Sequence, residues 1–479
     1  MAILRGLIIA ANSSGVGKTS ASVALAIALR ERGYRVAVAK LGPDFIDAGW
    51  LSWAAESPCA NIDSRMTGKK GIFRLLRRLE ISPEKNEILI CESAMGLYDG
   101  DRRGKGTAAE LATILKLPVL LLLDAKGMGG SIAPLAHGFL SYEPATSASR
   151  SKPRFCGIIC SKVSGERHAE LLAKSLRPVL RKYGVPLLGN LPKLGAPVLD
   201  SRHLGLLQAS EVAPSLDRES LRIWAEKNCD IEKLLATLNI PAPPGTCREM
   251  VSRKDWRFVS SIKPTKDAPR VAIARDEAFE FCYADLPAIL EENGCEPFFF
   301  SPLSDPFLPD CDGCYIPGGY PELYAAKLSR NISMLLSLRA RAREGLPFYA
   351  ECGGFVYLSR GALDPSGKRW PLAGIIPQEC VMDRRLRSLG YRFVRGRGEM
   401  RDIAARGHEF HYCRGTLFPD SPLWEARDSE GKRLEPQGYK KDNILASWVH
   451  LYPEGSGQFW KFWTAKVRDF SEKRKRQYG

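Results

Sequence analysis

Features that would place a protein in a membrane or outside the cell are missing from this sequence. The longest runs without a polar side chain, such as residues 117–123, are far shorter than the roughly 20 apolar residues that cross a bilayer. Residues 1–10 lead directly into a glycine-containing loop, which predicts folded structure there and no signal peptide. The 13 cysteines show no regular disulfide spacing, and the isolated pair Cys311 and Cys314 lacks the second pair that a zinc site needs. We therefore predict a cytoplasmic protein with reduced thiols and no membrane partner.

Nucleic-acid-binding motifs, internal repeats and low-complexity tracts are also absent. Lysine and arginine number 70 against 54 aspartates and glutamates, which gives a net charge of +16. This excess favours an anionic partner, and charge alone leaves nucleic acid, an acidic membrane and a polyanionic small molecule open. Because the basic residues are spread along the chain, with one short run at 473–476, we predict no nucleic-acid partner.

The length and the apolar content indicate more than one domain. A chain of 479 residues with 44% hydrophobic residues has room for two to four cores at roughly 150 residues each. Residues 204–240 have a helical pattern, and a segment rich in proline begins at 241. A new strand pattern starts at Arg270. We predict a first domain over 1–240, a linker over 241–268 and a second domain over 269–479.

A phosphate-binding loop is the strongest signal near the start of the chain. An apolar run at 7–11 is followed by small residues, then by Lys18 and Thr19, and then by a helical pattern. Small residues let backbone N–H groups approach an anion at a helix N-terminus, while the lysine reaches the phosphates of ATP and the hydroxyl reaches Mg²⁺. Asn12 stands where the strict pattern has glycine, and the alternative is a tight turn that binds nothing. The predicted ATP-binding residues are Ser14, Gly15, Val16, Gly17, Lys18 and Thr19.

Acidic residues follow several predicted strands. The strands alternate with helical segments, which predicts an α/β fold with a doubly wound parallel sheet, and ligands bind at the carboxyl ends of such strands. Because Glu92 directly follows a buried strand, we assign it to Mg²⁺ with Thr19, and Asp44 is the second candidate ligand. The alternative is that one or two of the acids are surface loop residues or helix caps. The acids in these positions are Asp44, Asp47, Glu92, Asp99 and Asp124.

A second chemical centre is indicated far downstream. Cys352 and two glycines follow a predicted strand, an elbow that exposes a nucleophile, and the helix N-terminus is expected to lower the pKa of the thiol. His450 ends another strand and is the candidate base. Taken singly, each is a common structural residue. Backbone N–H groups able to hold an oxyanion are expected at Gly318, Gly319 and Gly353.

Two further histidines lie close together in the sequence. His408 and His411 have a spacing of three residues without a third obvious ligand, which makes a metal pair the weaker interpretation. A role in shaping the thiol site or a domain interface is the stronger one.

With these motifs the chain resembles the cobyrinic acid a,c-diamide synthase family over nearly its whole length. In that family an ATP domain similar to dethiobiotin synthetase is fused to a class I glutamine amidotransferase domain. The hexapeptide at 95–100 separates the family from the sister cobyric acid synthases. Ordinary class I glutaminases carry an acid two residues after the histidine, where this chain has Tyr452, and the family is expected to work with a Cys-His dyad. The segments that carry the resemblance are 13–19, 42–47, 61–64, 95–100, 317–323, 350–354, 389–391 and 407–412.

The resemblance implies two doubly wound parallel-sheet domains, the first P-loop NTPase-like and the second a flavodoxin-like class I glutaminase. It also implies a two-centre reaction. Cys352, activated by His450, releases ammonia from glutamine, while ATP with Mg²⁺ phosphorylates the a and c side-chain carboxylates of cobyrinic acid. Ammonia conveyed inside the protein then displaces phosphate. A homodimer is left open. The candidates for substrate binding or phosphate transfer are Asp47, Asp63, Tyr98 and Asp99.

Other functions remain open on the sequence alone. Close relatives amidate hydrogenobyrinic acid, nickel-sirohydrochlorin or sirohaem, and the loops that select the macrocycle cannot be recognised. A second class is a regulatory P-loop ATPase whose glutaminase-like domain is not catalytic. The presence of Cys352, His450 and both glycine turns favours catalysis.

Overall fold

The computed structural model describes residues 4–78, 87–143, 152–192, 216–241, 264–364, 366–383, 385–415 and 422–478. The chain divides into two compact units, Met1–Arg257 and Phe258–Gly479. The predicted linker, 241–268, falls largely outside the described residues, as does the start of the helical segment predicted over 204–240.

The first unit is built on a seven-stranded sheet in which every pair of neighbouring strands is parallel. Its central strands are almost wholly buried, as expected for a parallel sheet covered on both faces. The strand order is β3-β2-β4-β1-β5-β6-β7. The strands are β1 (Gly6–Ala11), β2 (Arg35–Leu41), β3 (Cys59–Ile62), β4 (Glu87–Gly96), β5 (Val119–Asp124), β6 (Phe155–Val163) and β7 (Leu187–Pro192).

The helices of the first unit connect these strands in the alternating pattern that the sequence predicted. The chain leaves β1 at the middle of the sheet, with β4 on one side and β5 on the other. Such a switch point in strand order is where open α/β sheets bind ligands. The helices are α1 (Lys18–Glu31), α2 (Ile46–Ala55), α3 (Ser64–Arg78, interrupted at Gly68), α4 (Ala108–Leu115), α5 (Ile132–Ser141), α6 (Glu166–Tyr183), α7 (Arg218–Asn228) and α8 (Ile231–Thr237).

The second unit has a six-stranded sheet in the order β19-β20-β11-β10-β8-β9, parallel except for the pair β19 and β20. Its strands are β8 (Arg270–Ala274), β9 (Glu296–Phe300), β10 (Gly313–Ile316), β11 (Phe348–Glu351), β19 (Tyr439–Lys441) and β20 (Ile444–Ser447). Its helices are α9 (Leu286–Glu292), α10 (Ala325–Arg330), α11 (Ile332–Arg343), α12 (Gly353–Leu358) and α13 (Gly457–Tyr478), with 3₁₀ turns at Gly398–Met400 and Pro453–Gly455.

Two smaller sheets accompany it, and the sequence analysis did not predict them. One has the order β13-β12-β14-β17 and the other β18-β15-β16-β21. The second is antiparallel throughout and pairs His408 with His450. The strands are β12 (Ser359–Leu363), β13 (Arg369–Pro371), β14 (Ile376–Met382), β15 (Ser388–Gly396), β16 (Ala404–His411), β17 (Cys413–Gly415), β18 (Trp424–Arg427) and β21 (His450–Leu451).

The prediction of an α/β fold with a predominantly parallel sheet in each half of the chain is confirmed. Among the described residues, no helix combines the length and the apolar character needed to cross a membrane.

Candidate active site

The phosphate loop lies between β1 and α1. Gly17 is the N-cap of α1 with φ 99°, a left-handed conformation that glycine adopts without strain. The Lys18 ammonium, 5% exposed, donates to the Ser13 carbonyl at 3.1 Å, so the side chain folds back along the loop. Burial, followed by the charge of Lys40, lowers the pKa of Lys18. The loop therefore holds the Lys18 ammonium in a fixed position beside a helix N-terminus, and this arrangement is suited to binding an anion.

Asn12, which replaces the first glycine of the strict pattern, joins two strands. Its backbone N–H donates to the Leu122 carbonyl at 3.2 Å, and its side-chain oxygen accepts from the Asp124 N–H at 2.9 Å. The Asp124 carboxylate in turn pairs with Lys162 at 2.6 Å. Asn12 thus links the ends of β1 and β5 at the start of the phosphate loop.

A buried cluster of charges lies beside the loop, centred on Lys40. Lys40 at the end of β2 is 0% exposed and donates to Glu92 Oε1 at 2.9 Å and to Asp47 Oδ2. Asp44 Oδ2 lies farther from the ammonium, at 3.9 Å. The Thr19 hydroxyl donates to Glu92 Oε1 at 2.8 Å, which connects the cluster to α1. The register explains the meeting, because Lys40 and Glu92 are directly opposite on the parallel strands β2 and β4.

The charges in this cluster stabilise one another. Burial alone would lower the pKa of Lys40, but the carboxylates of Glu92, Asp47 and Asp44 outweigh it and raise the pKa. Burial raises the pKa of Glu92, and Lys40 opposes that shift. For Asp47 burial is outweighed by Lys40 and by hydrogen bonds, so its pKa is lowered. A buried lysine of this kind stays charged because its partners are ionised.

Only one of the two oxygens of the Glu92 carboxylate accepts hydrogen bonds from the described residues. Oε1 accepts from Lys40 and Thr19, whereas the buried Oε2 accepts no hydrogen bond from any residue that the structure describes. Asp44 has a different local role, because its Oδ1 accepts from the N–H groups of Ile46 and Asp47 at 3.0 Å at the start of α2. Glu92 therefore offers the freer oxygen donor of the two metal candidates.

The other predicted substrate residues of this unit make local contacts. Asp63 accepts from the N–H groups of Arg65 at 2.7 Å and Met66 at 3.1 Å, as a helix cap does. The Tyr98 hydroxyl donates to the Phe139 carbonyl at 2.8 Å.

Asp99 holds a turn and also faces the loop. Its Oδ2 accepts from the Gly96 N–H at 2.9 Å. Its charge raises the pKa of Lys18, against the larger effects of burial and Lys40. Of the predicted substrate residues, the structure brings Asp47 and Asp99 towards the lysines of the loop and the cluster.

In the second unit, Cys352 occupies the sharp turn between β11 and α12. Its φ of 46° and ψ of −102° are rare for a residue with a side chain, and strained backbone of this kind clusters at functional sites. The Cys352 N–H donates to the Ser447 carbonyl at 2.8 Å, which holds the turn against β20. A Cβ built on Gly353 would lie 2.9 Å from the Gly319 nitrogen. The two glycine turns are therefore in close contact beside the thiol.

The expectation that the helix N-terminus lowers the pKa of Cys352 is wrong for this structure. Burial is the largest effect and raises the pKa, the charge of Glu322 raises it further, and the Gly353 N–H only partly opposes them. The helix that follows is only six residues long, and the side chain is 6% exposed. The resting thiol is therefore protonated, and a base must take its proton for it to react.

His450, the candidate base, is buried against three groups. Its ring is stacked on that of His408 with centroids 5.0 Å apart and planes 18° apart. A Cβ on Gly318 would fall 2.2 Å from His450 Cε1, so only glycine permits this approach. His450 Nδ1 lies 3.9 Å from Glu351 Oε2. Burial, followed by His408 and His411, lowers the pKa of His450 well below its usual value, so the resting imidazole is neutral and a nearby negative charge is needed to stabilise its protonated form.

The remaining motif residues take supporting positions. His408 Nδ1 is 3.1 Å from the Tyr283 hydroxyl, and His411 Nδ1 is 2.8 Å from the Cys413 carbonyl. Tyr452, two residues after His450, packs its ring on Tyr283 with centroids 4.8 Å apart. In the parts of the chain that the structure describes, no three His, Cys, Asp or Glu side chains are grouped as a metal site.

Glu351, the residue before the thiol, was missed by the sequence analysis. Its carboxylate accepts from the hydroxyls of Tyr349 at 2.8 Å and Tyr315 at 2.9 Å and from the Leu451 N–H at 3.0 Å. Burial raises the pKa of Glu351 to about 7, against the effect of these donors. The sequence feature that could have identified Glu351 is a charged residue at the end of a buried strand. Lys40 gave the same signal and was also missed.

A small pocket opens over the thiol. Its wall is largely aromatic and contains one acid, Glu322, whose pKa burial raises to about 7. An apolar wall with a single polar group is typical of small-molecule sites. The residues that line it are Phe281, Gly319, Tyr320, Glu322, Cys352, Gly353, Val356, Phe410, His411, Tyr412, Cys413 and Trp448.

Comparison with known families agrees with both centres. Residues 7–198 match the family described as CobQ/CobB/MinD/ParA nucleotide binding domain, and residues 270–457 match the CobB/CobQ-like glutamine amidotransferase domain. Together with the two folds, these matches define an amidating ligase that joins a nucleotide-binding domain to a glutamine amidotransferase domain.

Full-length relatives narrow this class. The chain is 33% identical over 456 residues to the cobyrinate a,c-diamide synthase of Leptospira interrogans (strain Fiocruz L1-130), covering 93% of this chain and 94% of that one. It is 35% identical over 459 residues to the hydrogenobyrinate a,c-diamide synthase of Rhizobium meliloti, covering 94% and 99%. It is also 35% identical over 463 residues to the cobyrinate a,c-diamide synthase of Syntrophotalea carbinolica, covering 93% and 95%. The chain belongs to the cobyrinate and hydrogenobyrinate a,c-diamide synthase family, which confirms the resemblance found in the motifs.

Proposed function

We propose that this protein uses ATP and glutamine to amidate the a and c side-chain carboxylates of a cobyrinic acid-type corrinoid. The relatives are named for cobyrinate and for hydrogenobyrinate, and both names support a corrinoid-type macrocycle as the substrate class. A polycarboxylate substrate also accounts for the net charge of +16. The described cysteines are free thiols, which supports a reducing compartment, and we propose that the enzyme acts in the cytoplasm.

The observation that supports the proposal is the strained turn at Cys352. The next residue, Gly353, is in close contact with Gly319, and the neighbouring Gly318 leaves room for the buried, neutral imidazole of His450. The thiol proton passes to His450 as the sulfur attacks the side-chain amide carbon of glutamine. Backbone N–H groups at Gly319 and Gly353 stabilise the oxyanion, with Gly318 allowing the close approach of His450. The imidazolium returns its proton to the departing nitrogen, ammonia leaves, and water hydrolyses the thioester to glutamate.

The nucleotide centre activates the acceptor. We assign ATP to residues 14–19, with Lys18 on the phosphates. The hydroxyl of Thr19 and the spare oxygen of Glu92 fit Mg²⁺, which takes oxygen ligands and is commonly held by one or two carboxylates plus phosphates. Asp44 stays the second candidate ligand, because only its Oδ1 caps α2 and its Oδ2 lies 3.9 Å from the Lys40 ammonium, whereas Asp47 Oδ2 accepts a hydrogen bond from Lys40. When bound, the metal neutralises phosphate charge during transfer.

The chemistry requires the acceptor carboxylate to be phosphorylated before ammonia arrives. A carboxylate is a poor electrophile, and its acyl phosphate provides a leaving group that ammonia displaces to give the amide. Water would hydrolyse that intermediate, so the site has to exclude it. Asp47 and Asp99 are the candidates to handle the acceptor, with Asp63 and Tyr98 as support for their loops. We propose no nucleic-acid or membrane partner, and homodimer formation stays a prediction to be tested.

A synthesis assay tests the proposal. The protein is incubated with ATP, Mg²⁺ and either glutamine or ammonium chloride, on cobyrinate, hydrogenobyrinate and sirohydrochlorin derivatives, and product mass is measured. Cys352→Ala should lose synthesis from glutamine and keep synthesis from ammonium, whereas Lys18→Ala should lose both. If Cys352→Ala loses both activities equally, the two-centre scheme is wrong. If no macrocycle is amidated while ATP is hydrolysed, a regulatory ATPase is the better description.

A further inference from the structure

We infer that Glu351 is the positioning carboxylate of the glutamine-cleaving site, acting on the His450 imidazole from the residue immediately before the nucleophile. The inference rests on the proposed roles of Cys352 and His450. It assigns to Glu351 the place that ordinary class I glutaminases give to an acid two residues after the histidine, which is Tyr452 here.

A histidine base needs a partner for the nitrogen that does not face the thiol. Because Nδ1 is the ring nitrogen nearer the Glu351 carboxylate, we assign Nε2 as the atom that accepts the thiol proton, and the neutral ring then carries its own proton on Nδ1. A carboxylate near Nδ1 favours this tautomer and stabilises the imidazolium that forms as the thiol reacts. Glu351 Oε2 is 3.9 Å from His450 Nδ1, and both side chains are almost completely buried. Such a contact is longer than a hydrogen bond, as is common at catalytic sites before substrate binds.

The carboxylate is held in place before any substrate arrives. Three groups, the hydroxyls of Tyr315 and Tyr349 and the N–H of Leu451, donate to its two oxygens. These donors favour the ionised form, and they prevent the side chain from rotating away from the ring. Charge interactions are strong in a buried site of low dielectric, so a fixed carboxylate here acts on the imidazolium with little reorganisation.

The backbone around Glu351 couples the two reacting groups. Glu351 ends β11 and Cys352 begins the turn that follows, so one short segment places both the carboxylate and the thiol. The N–H that Glu351 accepts belongs to Leu451, next to His450 in β21. Gly318 confines the ring at Cε1, and His408 is stacked against its face. Tyr452 is occupied with Tyr283 and cannot supply the charge.

The step that Glu351 assists is a proton transfer in which the ionised carboxylate stays ionised. Because burial raises the pKa of Glu351 to about 7, we expect its contribution to grow as the pH rises through that value. The proton moves from Cys352 Sγ to His450 Nε2 while sulfur bonds to the amide carbon. It then moves from Nε2 to the nitrogen as the carbon–nitrogen bond breaks and ammonia leaves. Glu351 touches no reacting atom in this sequence, so its removal should slow turnover without weakening glutamine binding.

Glu351→Gln tests the inference directly, since it keeps the shape of the side chain and removes its charge. We expect kcat for glutamine hydrolysis to fall by about 10²–10⁴-fold, the range that general acid–base catalysis contributes, with about 10⁴ for a neutralised triad acid as its upper end. KM for glutamine should stay within about threefold of the wild-type value, because Glu351 does not contact the bound glutamine. Synthesis from ammonium should be unchanged, and Glu351→Asp, which keeps the charge, should recover part of the lost kcat.

Asp312→Asn is the matched control. Asp312 is another buried carboxylate of the second unit, and it accepts from the Arg270 N–H and pairs with Arg474. Its neutralisation should lower the melting temperature and leave kcat for glutamine as in the wild type. If Glu351→Gln keeps kcat within about threefold of the wild type, the inference is overturned.

A measurement on the unaltered protein covers the case in which Glu351→Gln does not fold. ¹⁵N chemical shifts of the imidazole of His450, assigned by comparison with His450→Gln, should show the proton on Nδ1. A proton on Nε2 would overturn the inference even if the enzyme is active. Absence of glutamine hydrolysis in the wild type would instead count against the proposed function.

Discussion

Replacement of Lys40 by methionine should expose how much the first unit depends on its buried charge cluster. Methionine is similar in length and packs well, so Lys40→Met removes the charge with little change of volume. Glu92, 0% exposed, and the neighbouring Asp47 would then lose the cation that compensates them. The loss should therefore come from electrostatics and not from a cavity.

The magnitude follows from the depth of the cluster. Removing one partner of a buried ion pair costs about 3–5 kcal/mol, because the remaining charge is uncompensated. For a unit of about this size, each kcal/mol lowers the melting temperature by about 2–4 °C, so a decrease of about 6–20 °C is expected. In the variant Glu92 has a pKa even further above its unfolded value. A raised carboxyl pKa means that stability is lost as pH rises, so the deficit should be larger near about pH 8 than near about pH 6.

Differential scanning calorimetry of the full chain measures this effect, with Lys162→Met as the matched control. Lys162 also pairs with an acid after a strand, Asp124 at 2.6 Å, but its side chain is 30% exposed. A partly exposed pair that solvent screens contributes about 1 kcal/mol, so this control should melt within about 4 °C of the wild type. The double variant Lys40→Met with Glu92→Gln should recover part of the lost melting temperature, because the Glu92 charge left without its lysine is removed as well.

Melting of Lys40→Met within about 2 °C of the wild type would refute this reasoning. A loss that does not depend on pH would also count against it, because it would indicate poor packing of methionine instead of unpaired carboxylates. The measurement is independent of any substrate, so it tests the cluster apart from the proposed reaction.

Three further predictions concern activity. Glu92→Gln should reduce amidation from either nitrogen source by about a hundredfold or more, because metal-assisted charge stabilisation is lost, and diamide formed at the normal rate would remove Glu92 from the metal site. Asp99→Asn keeps an acceptor for the Gly96 N–H, so the protein should fold, and loss of the charge that handles the acceptor should make the monoamide accumulate. If the product mass shows the diamide as in the wild type, Asp99 only holds the turn. Gly318→Ala should reduce glutamine hydrolysis by about a hundredfold and spare synthesis from ammonium, since its Cβ would displace the His450 ring; equal loss of both activities would show general misfolding.

The larger part of the architecture could be predicted because its signals are local. Strands such as β1 and β5 are continuous apolar runs followed by small or acidic residues, and the intervening helices have the expected spacing. The turn at Cys352 was recognisable from its two following glycines for the same reason. Order along the chain is then enough to place these loops at one edge of a parallel sheet.

The rest of the site depends on pairing between distant segments, which no local pattern encodes. His408 meets His450 only because β16 and β21 are antiparallel in a particular register. The raised pKa of Cys352 depends on burial and on Glu322 from another turn, so the helix alone gave the wrong sign. Asn12 breaks the strict loop pattern, and its side chain accepts a hydrogen bond from Asp124 at the end of β5, more than a hundred residues away.

Lys40 and Glu351 were missed for one physical reason, which also shows how such residues can be found. Each is a buried charged side chain at or next to the carboxyl end of a largely buried parallel strand. A buried charge is stable only when other groups pair with it, so its presence there predicts partners that the sequence does not yet reveal. Both do have partners: Lys40 has a set of carboxylates, and Glu351 has two tyrosines, a backbone N–H and a histidine nearby. Because ligands bind at the carboxyl ends of such strands, a buried charge at this position predicts a residue of the site and directs the search for its partners.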